Sequence, residues 1–97
     1  MPIVKIVILN WNGAEHLRRF LPSVVAAAPA GVGVVVADNG STDGSLAVLA
    51  EKFPTVAVVR LDRNYGFAGG YNRALAQVEA DYYLPVSYTH LTLPTIA

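Results

Sequence analysis

Apolar positions along this chain follow two alternating patterns. Short continuous runs at Ile3–Leu9, Val34–Ala37, Val56–Leu61 and Tyr82–Leu84 have the length and branched composition of buried strands. Between them, apolar residues recur at helical spacing. Ala14–Ala28 places Leu17, Phe20, Leu21, Val24 and Val25 on one face, and Pro22 is expected to kink or restart that helix. Gly44–Phe53 carries Leu46, Leu49, Ala50 and Phe53 and is stopped by Pro54. Gly69–Val78 turns Tyr71, Ala74, Leu75 and Val78 inward. The predicted order is βαβαβαβ, an α/β fold of three layers around a parallel sheet. Right-handed crossovers favour the strand order 3-2-1-4. The carboxyl ends of strands 1, 2 and 4 then meet at one crevice, with Asn10–Gly13, Asp38–Thr42 and the loop after the fourth strand beside it.

The pattern changes after Leu84. Residues 85–97 contain no acid, lysine or arginine, and Pro85 and Pro94 punctuate them. The expected organisation is therefore a domain over 1–84 followed by an atypical tail over 85–97, foreign to the fold.

Composition narrows the class. Apolar residues make up 54% of the 97 positions and charged residues only 14%, which argues for a packed core. Seven basic and seven acidic side chains cancel, and no basic patch calls for nucleic acid. Cysteine is absent, so disulfides and thiolate metal sites are excluded. No charged-then-apolar leader opens the chain, and no apolar run makes a membrane span. A cytoplasmic location is the expectation.

The candidate chemistry lies where strands end. Val34–Ala37 stops at Asp38-Asn39-Gly40, which has turn chemistry, and Ser41-Thr42-Asp43 then supplies a helix start. Asp38 reads two ways with equal weight: a carboxylate that accepts from a nucleobase imide or a ribose hydroxyl, or the closure of an Asx turn over Gly40 and Ser41. Asn10, Asn12 and Gly13 form a second polar loop, whose amides suit a base or phosphate but more often only make a turn. Trp11 between them suits stacking on a base, though packing is the commoner role of such an indole. Asp43 reads as a helix-dipole residue. Asn64-Tyr65-Gly66-Phe67-Ala68-Gly69-Gly70-Tyr71-Asn72-Arg73 surrounds a helix start with glycines, so backbone amides can approach an anion, and Arg73 has the charge to neutralise a pyrophosphate. Tight helix-on-sheet packing explains the same glycines equally well. His16 reads as an exposed helix residue, and His90 in the tail has no assigned role.

Several activities are excluded by missing residues. The turn after the first strand is Asn10-Trp11-Asn12-Gly13, not Gly-x-Gly-x-x-Gly, which counts against a dinucleotide or flavin domain. The chain also lacks a Gly-Lys-Ser/Thr phosphate loop, a Gly-x-Ser-x-Gly elbow and paired zinc-binding histidines.

Taken together, Val7–Gly13, Val36–Ser45 and Asn64–Asn72 resemble three motifs of glycosyltransferase family 2, the inverting GT-A enzymes, in its rhamnosyltransferase-like branch. The resemblance spans about residues 3–84 and implies the Rossmann-like, nucleotide-binding half of a GT-A fold, truncated. By position it implies that Asn10, Asn12, Asp38, Asn39, Asn64, Gly66, Gly70 and Asn72 bind the nucleotide. Asp38 would bond the base, and the Asn64–Asn72 block would flank the diphosphate. The parent reaction would transfer a sugar from a nucleotide-sugar donor to a saccharide or lipid-linked hydroxyl acceptor, with a divalent metal, Mg or Mn. The parent would work in the cytoplasm, with a peripheral place at the inner face of the membrane. No carboxylate follows Asp81, so the metal ligands and catalytic base are missing, and this chain alone is expected to be inactive. A non-catalytic nucleotide-binding module and a non-functional fragment remain open alternatives.

Overall fold

The structure, a computed structural model, describes residues 2–86. The strands are β1 (Val4–Asn10), β2 (Val32–Asp38), β3 (Ala57–Arg60) and β4 (Tyr82–Val86); the helices are α1 (Ala14–Ala27), α2 (Ser45–Lys52) and α3 (Gly66–Leu75). The strands form one parallel sheet in the order β3-β2-β1-β4, as the crossover rule predicts. Each β-branched run becomes a strand because both faces of the sheet are covered. On one face Ile8 and Val36 pack with Leu17, Leu21, Val48 and Leu49 of α1 and α2. On the other, Val7, Leu9, Val35 and Ala37 pack with Tyr71 and Ala74 of α3 and with Val78.

Element ends differ from the sequence pattern in instructive ways. α1 is one helix through Pro22, which is exposed, so the carbonyl it leaves unbonded meets water rather than core. β1 and β2 each extend one residue further, so Asn10 and Asp38 are strand residues in direct register. α3 begins at Gly66, three residues earlier than the periodicity places it. β4 runs two residues beyond Leu84, with Pro85 opposite Val7 and Val86 opposite Ile8. Among the described strands β4 is an edge, where a proline is tolerated. The first two residues of the tail expected over 85–97 therefore belong to the sheet, because they pair with β1, and the remainder, 87–97, lies outside the described residues.

The connection after β1 leads towards β2, whereas β4 lies on the other side of β1. β1 is therefore the switch strand, and its carboxyl end is the place where this architecture forms a ligand crevice.

Candidate functional site

Asn10 and Asp38 form the floor of that rim, side by side at the ends of β1 and β2. Both are buried. Asn10 Nδ2 donates to Asp38 Oδ1 at 2.9 Å and to Ser41 Oγ at 3.2 Å. Ser41 Oγ donates to Asp38 Oδ1 at 2.7 Å, and the Ser41 amide donates to Asp38 Oδ2 at 2.9 Å. Asp38 thus closes the turn over Gly40 and Ser41, and its carboxylate is engaged by protein donors. Asn10 Oδ1 is a buried acceptor without a hydrogen-bond partner. Its amide cannot flip to cure this, because the oxygen would then face Asp38 Oδ1.

The loops after β1 and β2 are latched to each other. Asn12 has a positive φ of 48°, a conformation asparagine tolerates. Its Oδ1 accepts from the amides of Thr42 at 2.7 Å and Asp43 at 3.2 Å, and its own amide donates to Ser41 Oγ at 2.9 Å. Asp43 returns the contact: its Oδ2 accepts from the Ala14 amide at 3.1 Å, and its Oδ1 from the amide and hydroxyl of Ser45 at 2.9 and 2.5 Å. One carboxylate therefore serves the first residue of both α1 and α2. Partial burial works against ionisation of Asp43. The donors from Ser45 and Ala14 outweigh it and hold the carboxyl below its ordinary value.

A second brace runs to α3. Asn39, also buried, donates from Nδ2 to Asn64 Oδ1 and to the Gly66 carbonyl, both at 3.1 Å, and accepts the Tyr65 amide at 3.0 Å. Asn64 Oδ1 also accepts the Gly66 amide at 2.7 Å, which shapes the start of α3. Gly40 has a φ of +76°, and a Cβ there would lie 2.6 Å from the Arg63 backbone, so only glycine lets the two loops touch. Gly70 is needed for proximity: a Cβ would stand 2.8 Å from Asn39 Nδ2 and 3.0 Å from Leu9 Cδ1.

Of the sequence-predicted residues, Asn10, Asn12, Asp38, Asn39, Asn64, Gly66 and Gly70 are joined in this way along one rim. Asn72 is exposed further along α3, outside the hydrogen-bonded set. Trp11 is 52% exposed, so packing does not account for it. Asp81 lies at the opposite end of the sheet, where Oδ2 accepts the Ile3 amide at 2.6 Å. The buried Ser45, which donates to Asp43, and the Tyr65 brace carried no sequence signal beyond the small-polar and glycine-rich compositions around them. Tyr71, buried in α3, donates its hydroxyl to the Val86 carbonyl, and burial raises its pKa.

Among the described residues, no group of three His, Asp or Glu side chains gathers to hold a metal. Asp38 and Asp43 are committed to amides and hydroxyls, and Asp81 is at the wrong end. These residues alone do not fit a divalent-metal seat. No helix among the described residues is long and apolar enough to cross a membrane.

Comparison with known proteins agrees with this geometry. The family model described as Glycosyl transferase family 2 matches residues 5–86. N-acetylglucosaminyl-diphospho-decaprenol L-rhamnosyltransferase of Mycobacterium tuberculosis is 34% identical over 76 residues, covering 78% of this chain and 25% of the relative. Among solved structures, Staphylococcus aureus TarS 1–349 in complex with UDP-GlcNAc aligns with a TM-score of 0.72 at 27% identity, covering 87% of this chain and 26% of TarS. The mannosyltransferase PcManGT from Pyrobaculum calidifontis, in complex with GDP-Man and Mn2+, aligns with a TM-score of 0.67 at 26% identity, covering 82% and 25%. The chain thus spans about a quarter of the length of these relatives. Its parallel sheet, its polar rim and the family match to nearly all of the described residues lead to one assignment: the chain belongs to glycosyltransferase family 2 and corresponds to the N-terminal part of its GT-A fold.

Proposed function

We propose that this chain supplies the nucleotide-binding part of an enzyme that transfers a sugar from a nucleotide-sugar donor to a hydroxyl acceptor with inversion. The observation that carries the proposal is the pairing of Asn10 with Asp38, and of the adjoining Asn39 with the Asn64–Gly66 segment, at the carboxyl rim of the switch strand. Prebuilt polar rims of this kind bind nucleotides with little loop ordering. Asn10, Asn12, Asn39, Asn64, Gly66, Gly70 and Asn72 form or shape the wall. Asp38 belongs to the same wall: its carboxylate sets the turn that presents Ser41 and Asn12, and the acceptor capacity left on Oδ2 bonds the base, beside the exposed Trp11. Asn10 Oδ1 is a buried acceptor left without a partner beneath the rim, a cost of about 1–3 kcal/mol.

In the transfer itself, the acceptor oxygen attacks the anomeric carbon, a carboxylate base takes its proton, and the nucleoside diphosphate leaves. The described residues bind and orient the donor. The base and the seat of the Mg or Mn ion lie outside them, and no role here depends on the metal. The M. tuberculosis relative is named for rhamnosyl transfer involving a decaprenyl-linked sugar, which supports a lipid-linked saccharide acceptor.

Calorimetric titration of the chain with UDP, GDP and their sugar conjugates tests the reading, with amide chemical shifts as a map. Binding should move the signals of 10–12, 39–42 and 64–72. No binding, or shifts confined to the amino ends of the strands, would overturn it.

A further inference from the structure

The loop after β1 carries the one tryptophan of the chain, Trp11, and passes from strand to helix within three residues. On its strand side Asn10 is fixed in the rim floor by Asp38 and Ser41. In the middle Asn12 holds a positive φ and is tied to Ser41, Thr42 and Asp43. On its helix side Asp43 fastens it, because Oδ2 accepts the amide of Ala14, the first residue of α1. Gly13, which precedes α1, has no side chain with which to cap it. The indole is half open to solvent, so the polar contacts around it, rather than packing, hold the loop.

The Asp43 carboxylate has two arms. Oδ2 crosses to the other loop. Oδ1 stays in its own segment and accepts from the amide and hydroxyl of Ser45 at the start of α2. The Asp43 amide also donates to Asn12 Oδ1, so one residue grips the Trp11 loop on both sides of Gly13. Opening the Oδ2 arm frees the first amide of α1, and a helix end without partners for its amides is unsatisfied and frays. Fraying there slackens Gly13 and Asn12 and lets Trp11 drift from the Asn10–Asp38 floor. A ligand that meets this loop must then order it on binding, which lowers affinity.

We infer that Asp43, acting through the Ala14 amide, is a positioning residue that holds the Trp11 loop in the shape the nucleotide donor meets. This rests on the nucleotide reading above and adds to it a residue that acts at one remove from the ligand.

The two arms can be separated by substitution. Asp43→Asn leaves one oxygen for Ser45 but sets an NH2 group against the Ala14 amide, whereas Ser45→Ala weakens the Oδ1 arm and leaves the crossing arm whole. Both variants should melt about 4–8 °C below wild type, the loss of one cap. Asp43→Asn should weaken UDP about three- to tenfold in calorimetric titration, the worth of one hydrogen bond. Ser45→Ala should change UDP affinity less than about twofold, although its stability falls as far. Fluorescence of the single tryptophan reads the loop directly. Acrylamide should quench Trp11 more strongly in Asp43→Asn than in wild type, and no more strongly in Ser45→Ala. Asp43→Ala, which removes both arms, should reproduce the stronger quenching and the weaker UDP binding. Equal UDP affinities for Asp43→Asn and Ser45→Ala, or unchanged quenching in both Asp43 variants, would overturn the inference while leaving the nucleotide reading standing. If UDP fails to bind the wild type, the nucleotide reading falls, and the quenching comparison still decides whether Asp43 holds the loop.

Discussion

Asn12 and Asp43 latch each other's loops: Asn12 Oδ1 takes the Thr42 and Asp43 amides ahead of α2, and Asp43 Oδ2 takes the amide that opens α1. The two loops are therefore one unit, and the polar rim is a built object rather than two neighbouring turns.

That exchange gives Asp43 a pH signature. Its folded pKa is below the ordinary value of 3.8. A depressed carboxyl contributes stability in full above its unfolded pKa and loses it as pH falls through the folded one. Asp43→Asn should therefore be less stable than wild type at neutral pH, with a gap that closes in acid below about pH 4. Urea midpoints for both proteins from pH 2 to 7 check this. A gap that stays constant in acid would show that the charge of Asp43 plays no part.

Asp38 and Asn10 should be coupled in stability. Asp38→Ala leaves Asn10 Nδ2 and the Ser41 amide without their acceptor at a buried position, a loss of about 3 kcal/mol. Once Asp38 is gone, Asn10→Ala should cost much less than it does in the wild type. A double-mutant cycle by denaturant unfolding should give about 1–2 kcal/mol of coupling. Additive losses would remove the pair from the centre of the rim.

Gly40 and Gly31 separate strain from collision. Both have positive φ, +76° and +87°, but an added Cβ meets the Arg63 backbone only at Gly40 and finds nothing within 4 Å at Gly31. Gly31→Ala should cost about 1 kcal/mol, the strain of a left-handed alanine. Gly40→Ala should cost about 3 kcal/mol, as backbone must also move. Thermal melts of the two variants, run side by side, read the difference. Equal losses would mean that the two loops separate freely.

At Gly70 two effects compete. Alanine improves helix propensity by up to about 1 kcal/mol. Its Cβ, however, would meet the Asn39 amide that holds Asn64 and Gly66. Gly70→Ala should keep the melting temperature within a few degrees yet displace the side-chain amide signals of Asn39 and Asn64 and weaken UDP binding. Unperturbed Asn39 signals would show that the brace tolerates the added methyl group.

The sheet order was legible because β-branched runs alternate with amphipathic ones, and handedness leaves little choice of crossover. The neighbouring positions of Asn10 and Asp38 followed from that order. Their burial did not: a polar residue at a strand end looks the same in sequence whether it faces solvent or closes a network. The early start of α3 was hidden because Gly66, Gly69 and Gly70 are poor helix formers, and the packing of Tyr71 and Ala74 on the sheet overrides their propensity. Pro85 hid the end of β4, since a proline in a strand reads as a break until the strand is known to be an edge. The guanidinium carbon of Arg73 lies 4.0 Å from the centroid of the Tyr65 ring, a contact between residues eight positions apart across a helix start that no periodicity marks.

The central place of β1 has a consequence for how the chain is made. The rim contacts close over short separations, 28 residues from Asn10 to Asp38 and 25 from Asn39 to Asn64. The other flank of β1 waits for Asp81 and β4, 78 residues from Ile3. During synthesis the polar rim can assemble while one side of the first strand still lacks its neighbour. High contact order of this kind slows completion of the sheet and prolongs exposure of an apolar strand, so a chaperone has its longest opportunity at the amino terminus.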